Sequence, residues 1–496
     1  MTYQSTRNSA LRVESSRAIM NGISAEGGLF VPCGFPAFSY REFSAMAGES
    51  YISCAVNVLE KFLTDFTGRE LLDCASAAYS GEKFGGEHPA PLFEYKPGRF
   101  IQELWHGPTC AFKDMALQLL PHLLTASVKK QQSKDTQVIL VATSGDTGKA
   151  ALEGFRDVPG TKIMVFYPED GVSVLQKKQM MTQEGGNVAV LAVRGNFDDA
   201  QTGVKKIFTD SETGRRLAQS AMSFSSANSI NWGRLVPQIV YYVRAYCDLI
   251  KAGKITKNER FNVVVPTGNF GNILAAYYAK KMGVPVGRLI CASNKNHILT
   301  DFINTGIYDR NRAFYTTMSP SMDILISSNL ERLIFDLCGS DQKVRDWMAQ
   351  LSSEGRYEAD APLKEKLAEG FWADFATEEQ TAQVIYDMWK NHNYLCDTHT
   401  AVALHVFDKY REATGDMRNT VIVSTASPFK FTANVLGALK REPQTGDEFA
   451  MARELSALTG VPMPEPIAGL AGKPDRFTGV FDVADMNRAV FETLDM

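Results

Sequence analysis

The sequence predicts an α/β fold of mostly parallel sheets flanked by helices, and three observations carry that prediction. Between about 137 and 295, short β-branched runs alternate with longer amphipathic stretches. The runs are nearly all apolar and bounded by Gly, Pro or Asp, the pattern of strands buried on both faces of a parallel sheet. Helical stretches such as TGKAALEGFRD and GNILAAYYAKKMG follow several of the runs, as βαβ connections require.

Taken in order, residues 1–95 read as an N-terminal cap domain, with an amphipathic helical segment at about 41–64 and a Gly-rich connector at 79–89. Residues 96–235 read as an α/β subdomain with strands QVILVAT (137–143), TKIMVFY (161–167) and NVAVLAV (187–193). Residues 236–496 read as a large α/β domain with strands FNVVVPT (261–267), RLICAS (288–293) and NTVIVSTAS (419–427). A helical insertion at about 300–412 precedes the last of these strands, and a turn-rich tail after 440 leads into a short helix near 482–494.

A chain of 496 residues is long enough for more than one core. Its net charge of −4 gives no long-range attraction for nucleic acid or anionic membrane, so neither is expected as a partner. The opening MTYQSTRNSALRVESSR has no apolar core segment, and the apolar stretch ALQLLPHLLTASV (116–128) is broken by Pro121 and His122. The eight cysteines are scattered without a C-x-x-C pair and read as reduced thiols. A cytoplasmic location is the expectation.

Three segments carry chemistry. In HGPTCAFKDMALQLL (106–120), Gly107-Pro108 turns the chain, so Lys113 falls near the start of a helix. The positive end of a helix dipole and an apolar wall such as Phe112 would both disfavour its ammonium form. The neutral amine that results is what Schiff-base formation requires. By position alone, Lys113 reads more readily as a solvated surface lysine than as a reactive one. In PTGNFGNILAA (266–276) a strand ends in a Gly-containing loop and a helix starts near Asn272, so the N–H groups of Gly268, Asn269, Phe270 and Gly271 can converge on one anion. The loop fits neither the dinucleotide fingerprint nor the P-loop, which points to a monophosphate; a tight turn without ligand is the alternative.

VILVATSGDTGKAA (138–151) is a second strand–loop–helix unit, whose Ser144 and Thr147 hydroxyls suit a substrate carboxylate or phosphate. Asp146 does not suit an anion and is better placed beside a cofactor hydroxyl. His392, Cys396 and His399 lack a fourth ligand, so no metal is expected there. Asp198 and Asp199 read as solvated surface. Ser144 lacks the flanking glycine of a nucleophile elbow.

These segments, together with GVSVLQKKQM (171–180), FDDAQTGVK (197–205), SSANSINWGRLVPQ (225–238), CDTHTAVA (396–403) and STASPFKF (424–431), resemble the threonine synthase family in order and over most of the chain. That family lies in the pyridoxal-phosphate fold-type II, tryptophan synthase β-like superfamily. The resemblance implies pyridoxal 5′-phosphate as cofactor, with Lys113 as its Schiff-base lysine beside Phe112. It implies that Gly268, Asn269, Phe270, Gly271 and Asn272 hold the cofactor phosphate, and that Thr425 meets the pyridine nitrogen. Ser144, Thr147, Asn231 and Arg234, with Asp146 at the cofactor, are the candidates around the substrate; the planar fork of Arg234 suits a phosphate.

Ser427 stands where the family often has His, and Thr398 where it often has Pro, which leaves room for altered substrate handling. The implied activity is that of a lyase converting O-phospho-L-homoserine and water into L-threonine and phosphate, as a monomer or homodimer. The rivals are a phospho-lyase or dehydratase releasing a 2-oxo acid, and a catalytically silent ligand-binding homologue.

Overall fold

The computed structural model describes residues 1–143, 145–170 and 172–496. The chain opens with three short strands, β1 (Tyr3–Ser5), β2 (Asn8–Val13) and β3 (Phe30–Pro32), joined in one antiparallel sheet. Helices follow at Tyr40–Met46, Tyr51–Phe62 and Gly68–Ala78. The helical segment expected at 41–64 is therefore two helices. Gly48 and the N-cap Ser50 interrupt it, and Ser50 accepts the Ser53 N–H to start the second. That second helix buries Tyr51, Cys54, Ala55, Val58, Leu59 and Phe62, one stripe at helical spacing facing the core.

The strands of the two main sheets come next. A hairpin, β4 (Leu92–Lys96) and β5 (Arg99–Glu103), precedes β6 (Thr136–Ala142), β7 (Thr161–Pro168), β8 (Val188–Arg194) and β9 (Met222–Ser225). Then come β10 (Phe261–Pro266), β11 (Val286–Ser293), the small pair β12 (Ile307–Asp309) and β13 (Arg356–Glu358), β14 (Phe371–Phe375), β15 (Thr420–Ser424) and β16 (Val480–Asp482). The larger sheet runs β14-β11-β10-β15-β5-β4, parallel except for its edge strand β4. The smaller runs β16-β8-β7-β6-β9 and is parallel throughout. The α/β architecture with mostly parallel sheets and an N-terminal region of its own is as the sequence predicts.

The divisions read at 95 and 235 do not follow the sheets. Strand β5 pairs with β15, more than three hundred residues away, and β16 returns from the tail to pair with β8. The stretch expected to be largely helical also contains β14, which pairs with β11. A short strand's own sequence carries no information about which sheet it joins. Among the described residues no helix is long and apolar enough to cross a membrane.

Helix Trp232–Lys251 is buried along almost its whole length and packs against helices Tyr51–Phe62 and Gly271–Lys281, tying the N-terminal region to the larger sheet. The carboxyl end of β6 leads to Thr143, and those of β10 and β15 feed the loops 267–270 and 425–427. Crevices outside such strand ends are where open α/β sheets place ligands.

Candidate active site

Lys113 is positioned by pairing, not by helix propensity. Ala111 forms an antiparallel bridge with Ala426 just beyond β15. The Phe112 N–H donates to the Thr425 carbonyl at 2.8 Å, and the Ser427 N–H to the Cys110 carbonyl at 3.0 Å. Cys110 adopts a positive φ of 58° to make that turn. Behind it, Asp114 accepts from the Thr109 N–H at 2.8 Å and the Thr109 hydroxyl at 2.7 Å. A Cβ on Gly107 would come within 2.6 Å of Asp114, so glycine is needed for this closure.

The helix after Lys113 is the single turn Asp114–Leu117, too short for a strong dipole. Burial, not the dipole, is the first cause that lowers the Lys113 amine; Asp146 opposes it, and the charges of Lys430 and Arg234 add to it. Phe112 walls the amine at 5.1 Å from its ring centroid.

Lys113 Nζ lies 3.5 Å from Asp146 Oδ2 and donates to Ser321 Oγ at 3.2 Å. Asp146, the first residue of helix Asp146–Phe155, is bound more closely by Lys430, whose Nζ is 2.7 Å from Oδ1. Gln176 Nε2 donates to the same oxygen at 2.9 Å. Burial alone would raise the Asp146 carboxyl, but the Lys430 and Lys113 charges outweigh it and hold the group well below the usual carboxylate range.

The Gly-containing loop follows β10 as expected, with its helix starting at Gly271. Phe270 is buried with φ 65°, a left-handed conformation that turns the chain into the helix. The N–H groups of Gly268, Asn269, Phe270 and Gly271 donate to no described backbone oxygen. Asn272 accepts the hydroxyls of Tyr241 and Tyr242 on Oδ1, at 2.6 and 2.5 Å, which leaves its buried Nδ2 without a partner. The loop is held from outside: Ser327 Oγ donates to the Gly268 carbonyl at 2.8 Å, and the Asn329 N–H to the Asn269 carbonyl at 3.1 Å. A Cβ on Gly268 would stand 2.5 Å from the Ser321 carbonyl oxygen. Ser321 thus touches both the 268–271 loop and Lys113, and brings the two together.

The other expected residues divide. Thr425 is buried, and its hydroxyl donates to no described residue. Arg234 is buried; Nη1 donates to the Ala227 carbonyl at 2.6 Å, Nε has no partner among the described residues, and burial pushes its guanidinium down to about 10. Thr147 is half-buried. Ser144 lies outside the described residues. Asn231 departs from expectation: its Nδ2 donates to the carbonyls of Ile19 and Ser226, both at 2.9 Å, and its Oδ1 caps the helix through the Gly233 N–H at 2.8 Å. With every polar atom engaged and the residue fully buried, it seats the helix that carries Arg234.

Three residues were not singled out. Lys430 lay inside the quoted STASPFKF motif, but nothing marked its ammonium as buried. Ser321 sits on a loop that the sequence left blank. His399 was weighed only as a metal ligand; it stands between Asp397, 2.9 Å from Nδ1, and the Ser321 N–H, 3.2 Å from Nε2. The tautomer with hydrogen on Nδ1 satisfies both contacts.

A buried amine, a ring of undirected N–H donors, an unpartnered Asn272 Nδ2 and a glycine that lets the backbone come close fit pyridoxal phosphate. Models of known families match in three segments: threonine synthase N terminus over residues 2–79, pyridoxal-phosphate dependent enzyme over 85–361, and threonine synthase C-terminal over 400–490. The threonine synthase-like 1 protein of Homo sapiens is 42% identical over 436 residues, covering 86% of this chain. The chain spans 58% of that relative's length. The threonine synthase of Pseudomonas aeruginosa is 36% identical over 438 residues, covering 87% of this chain and 89% of the relative. The PLP-bound threonine synthase of Brucella melitensis superposes with a TM-score of 0.88 at 34% identity, covering 99% of each chain. The chain belongs to the threonine synthase family of pyridoxal-phosphate-dependent enzymes.

Proposed function

We propose that this chain converts O-phospho-L-homoserine and water into L-threonine and phosphate, with pyridoxal 5′-phosphate carried on Lys113. The observation that supports this most is the company Lys113 keeps. One set of unpaired anion donors, Gly268 to Gly271 with Asn272, reaches it through Ser321, and a second, the Arg234 guanidinium, acts on it through its charge. The reaction needs two phosphate sites, one for the cofactor and one for the leaving group.

Pyridoxal phosphate, when bound, supplies an electron sink for negative charge developing on the substrate carbons. Lys113, its ammonium form disfavoured by burial, takes the Cα proton and moves protons at Cβ and Cγ. Arg234 binds the γ-phosphate and stabilises its charge as it departs, its fork matching the phosphate oxygens. Asp146, held as a carboxylate, would accept from the hydroxyl of a bound cofactor, and Thr425 would offer a neutral hydroxyl to its ring nitrogen, which would temper the sink. Water adds at Cβ, with the released phosphate retained beside Arg234.

The test is to incubate the protein, loaded with pyridoxal phosphate, with O-phosphohomoserine and identify what forms. Threonine with equimolar phosphate is the expected result. A 2-oxo acid with ammonia would make it a phospho-lyase, and no phosphate release would leave a ligand-binding homologue.

A further inference from the structure

Lys430 is the most deeply buried ammonium near the site. Its side chain has no exposed surface, and it donates to the Thr109 carbonyl at 2.9 Å besides pairing with Asp146 at 2.7 Å. Burying a second lysine beside Lys113 is costly unless its charge has work to do. Alone, Asp146 would be the counter-ion of Lys113 and would hold a proton on its amine. Lys430 lies closer to that carboxylate than Lys113 does, by 2.7 against 3.5 Å.

We infer that Lys430 is a positioning residue that claims Asp146 as its own counter-ion and thereby keeps the Lys113 amine free to be neutral and nucleophilic. This rests on the reading of Lys113 as the cofactor lysine. The Lys430 charge also acts against a proton on Lys113 directly, in the same sense. The other charged groups facing this pair are few. Asp114 and Cys110 come from the 107–114 turn, Lys149 and Glu153 from helix Asp146–Phe155, and Arg234 from helix Trp232–Lys251. None of these is within ion-pair distance of either lysine; among the described residues only Asp146 reaches both.

The test uses cofactor-free full-length protein. Pyridoxal phosphate is added at a series of pH values, the adduct is trapped with borohydride, and the initial rate of tagging at Lys113 is read by peptide mass. The reagent's own titration is common to every variant. Lys430→Met is expected to move the midpoint of the rate upward by one unit or more, which at pH 7 means tagging slower by about tenfold. Asp146→Asn, with Lys430 intact, is expected to move it downward. In the Asp146→Asn background the upward shift caused by Lys430→Met is expected to shrink to what the direct charge of Lys430 contributes, and a shift as large as in the wild-type background would overturn the inference.

A Lys430→Met protein that folds, by its circular dichroism and melting curve, and keeps the wild-type midpoint would overturn the inference. If that variant does not fold, Asp146→Asn decides: an unchanged or higher midpoint overturns it. Wild-type protein that is never tagged at Lys113 overturns the cofactor reading itself, and this inference with it.

Discussion

Two strand–loop–helix units meet at the cleft, one after β10 and one after β6, and they use the same local geometry in opposite ways. After β10 the loop keeps its donors unpaired, with free N–H groups from Gly268 to Gly271 and an unpartnered Asn272 Nδ2. No acidic residue occupies the first turn of its helix. After β6 the loop closes on itself: Thr143 Oγ1 accepts the N–H groups of Gly145 at 3.0 Å and Gly148 at 2.9 Å, and the helix opens with Asp146. The first unit is built to receive an anion. The second brings its own negative charge and surrounds it with lysines. A helix start is therefore an anion site only where its donors are left open.

The largest effect expected is at the amine both units face. Lys113→Ala is expected to lose the borohydride-trapped adduct entirely and to cut turnover of O-phosphohomoserine by at least about a thousandfold. Turnover preserved in that variant would show that neither unit serves the proposed chemistry. Next comes the open loop. Gly268→Ala puts a Cβ 2.5 Å from the Ser321 carbonyl oxygen, so the loop or the Ser321 segment must shift. Such overpacking costs about 1–3 kcal/mol, and pyridoxal phosphate affinity is expected to fall about tenfold to a hundredfold. Equilibrium dialysis measures it, and an unchanged affinity would remove the 268–272 loop from the cofactor site.

How far these units could be read beforehand depends on what each required. The strands β6, β7, β8, β10, β11 and β15 and the Gly-containing loop after β10 were legible because periodicity and turn residues are local properties. So was Lys113 at the start of a helical turn. The partners of Lys113 were not. Ser321 lies 208 residues away in sequence, and Lys430 reaches Asp146 from the segment after β15. Asn231 misled for a different reason. An asparagine just before a helix serves equally as a ligand or as a cap, and only the positions of the Ile19 and Ser226 carbonyls decide between them. The segment 143–147 reads in sequence as a second anion site because sequence cannot show that Thr143 Oγ1 already takes the N–H groups of Gly145 and Gly148.

That last point has its own test, with a smaller effect. Thr143→Val removes the acceptor for two buried N–H groups while keeping the shape of the side chain. Thermal and denaturant unfolding are expected to show a loss of about 1–3 kcal/mol, the cost of unsatisfied buried donors. Affinity for pyridoxal phosphate should change by less than about threefold, well under the effect of Gly268→Ala. A cofactor loss matching that of Gly268→Ala would mean that the closed loop binds the cofactor too.

An effect confined to a pH window separates two buried carboxylates near Lys113. Asp146, with Lys430 at bonding distance, stays below the usual range, whereas Asp114 has only the Thr109 N–H and hydroxyl, and burial raises it to about 6. A carboxyl raised in the folded state contributes stability below its unfolded value, near 3.8, and loses it as pH rises through about 6. Wild-type protein should therefore lose stability across that window. Asp114→Asn is neutral throughout and can still bond Thr109, with Oδ1 accepting the N–H and Nδ2 donating to the hydroxyl. Between pH 4 and 7 the stability difference should move in the variant's favour by about 1–3 kcal/mol, as urea unfolding at each pH would measure. A difference that stays flat would mean that Asp114, like Asp146, has a cation close enough to hold it ionised.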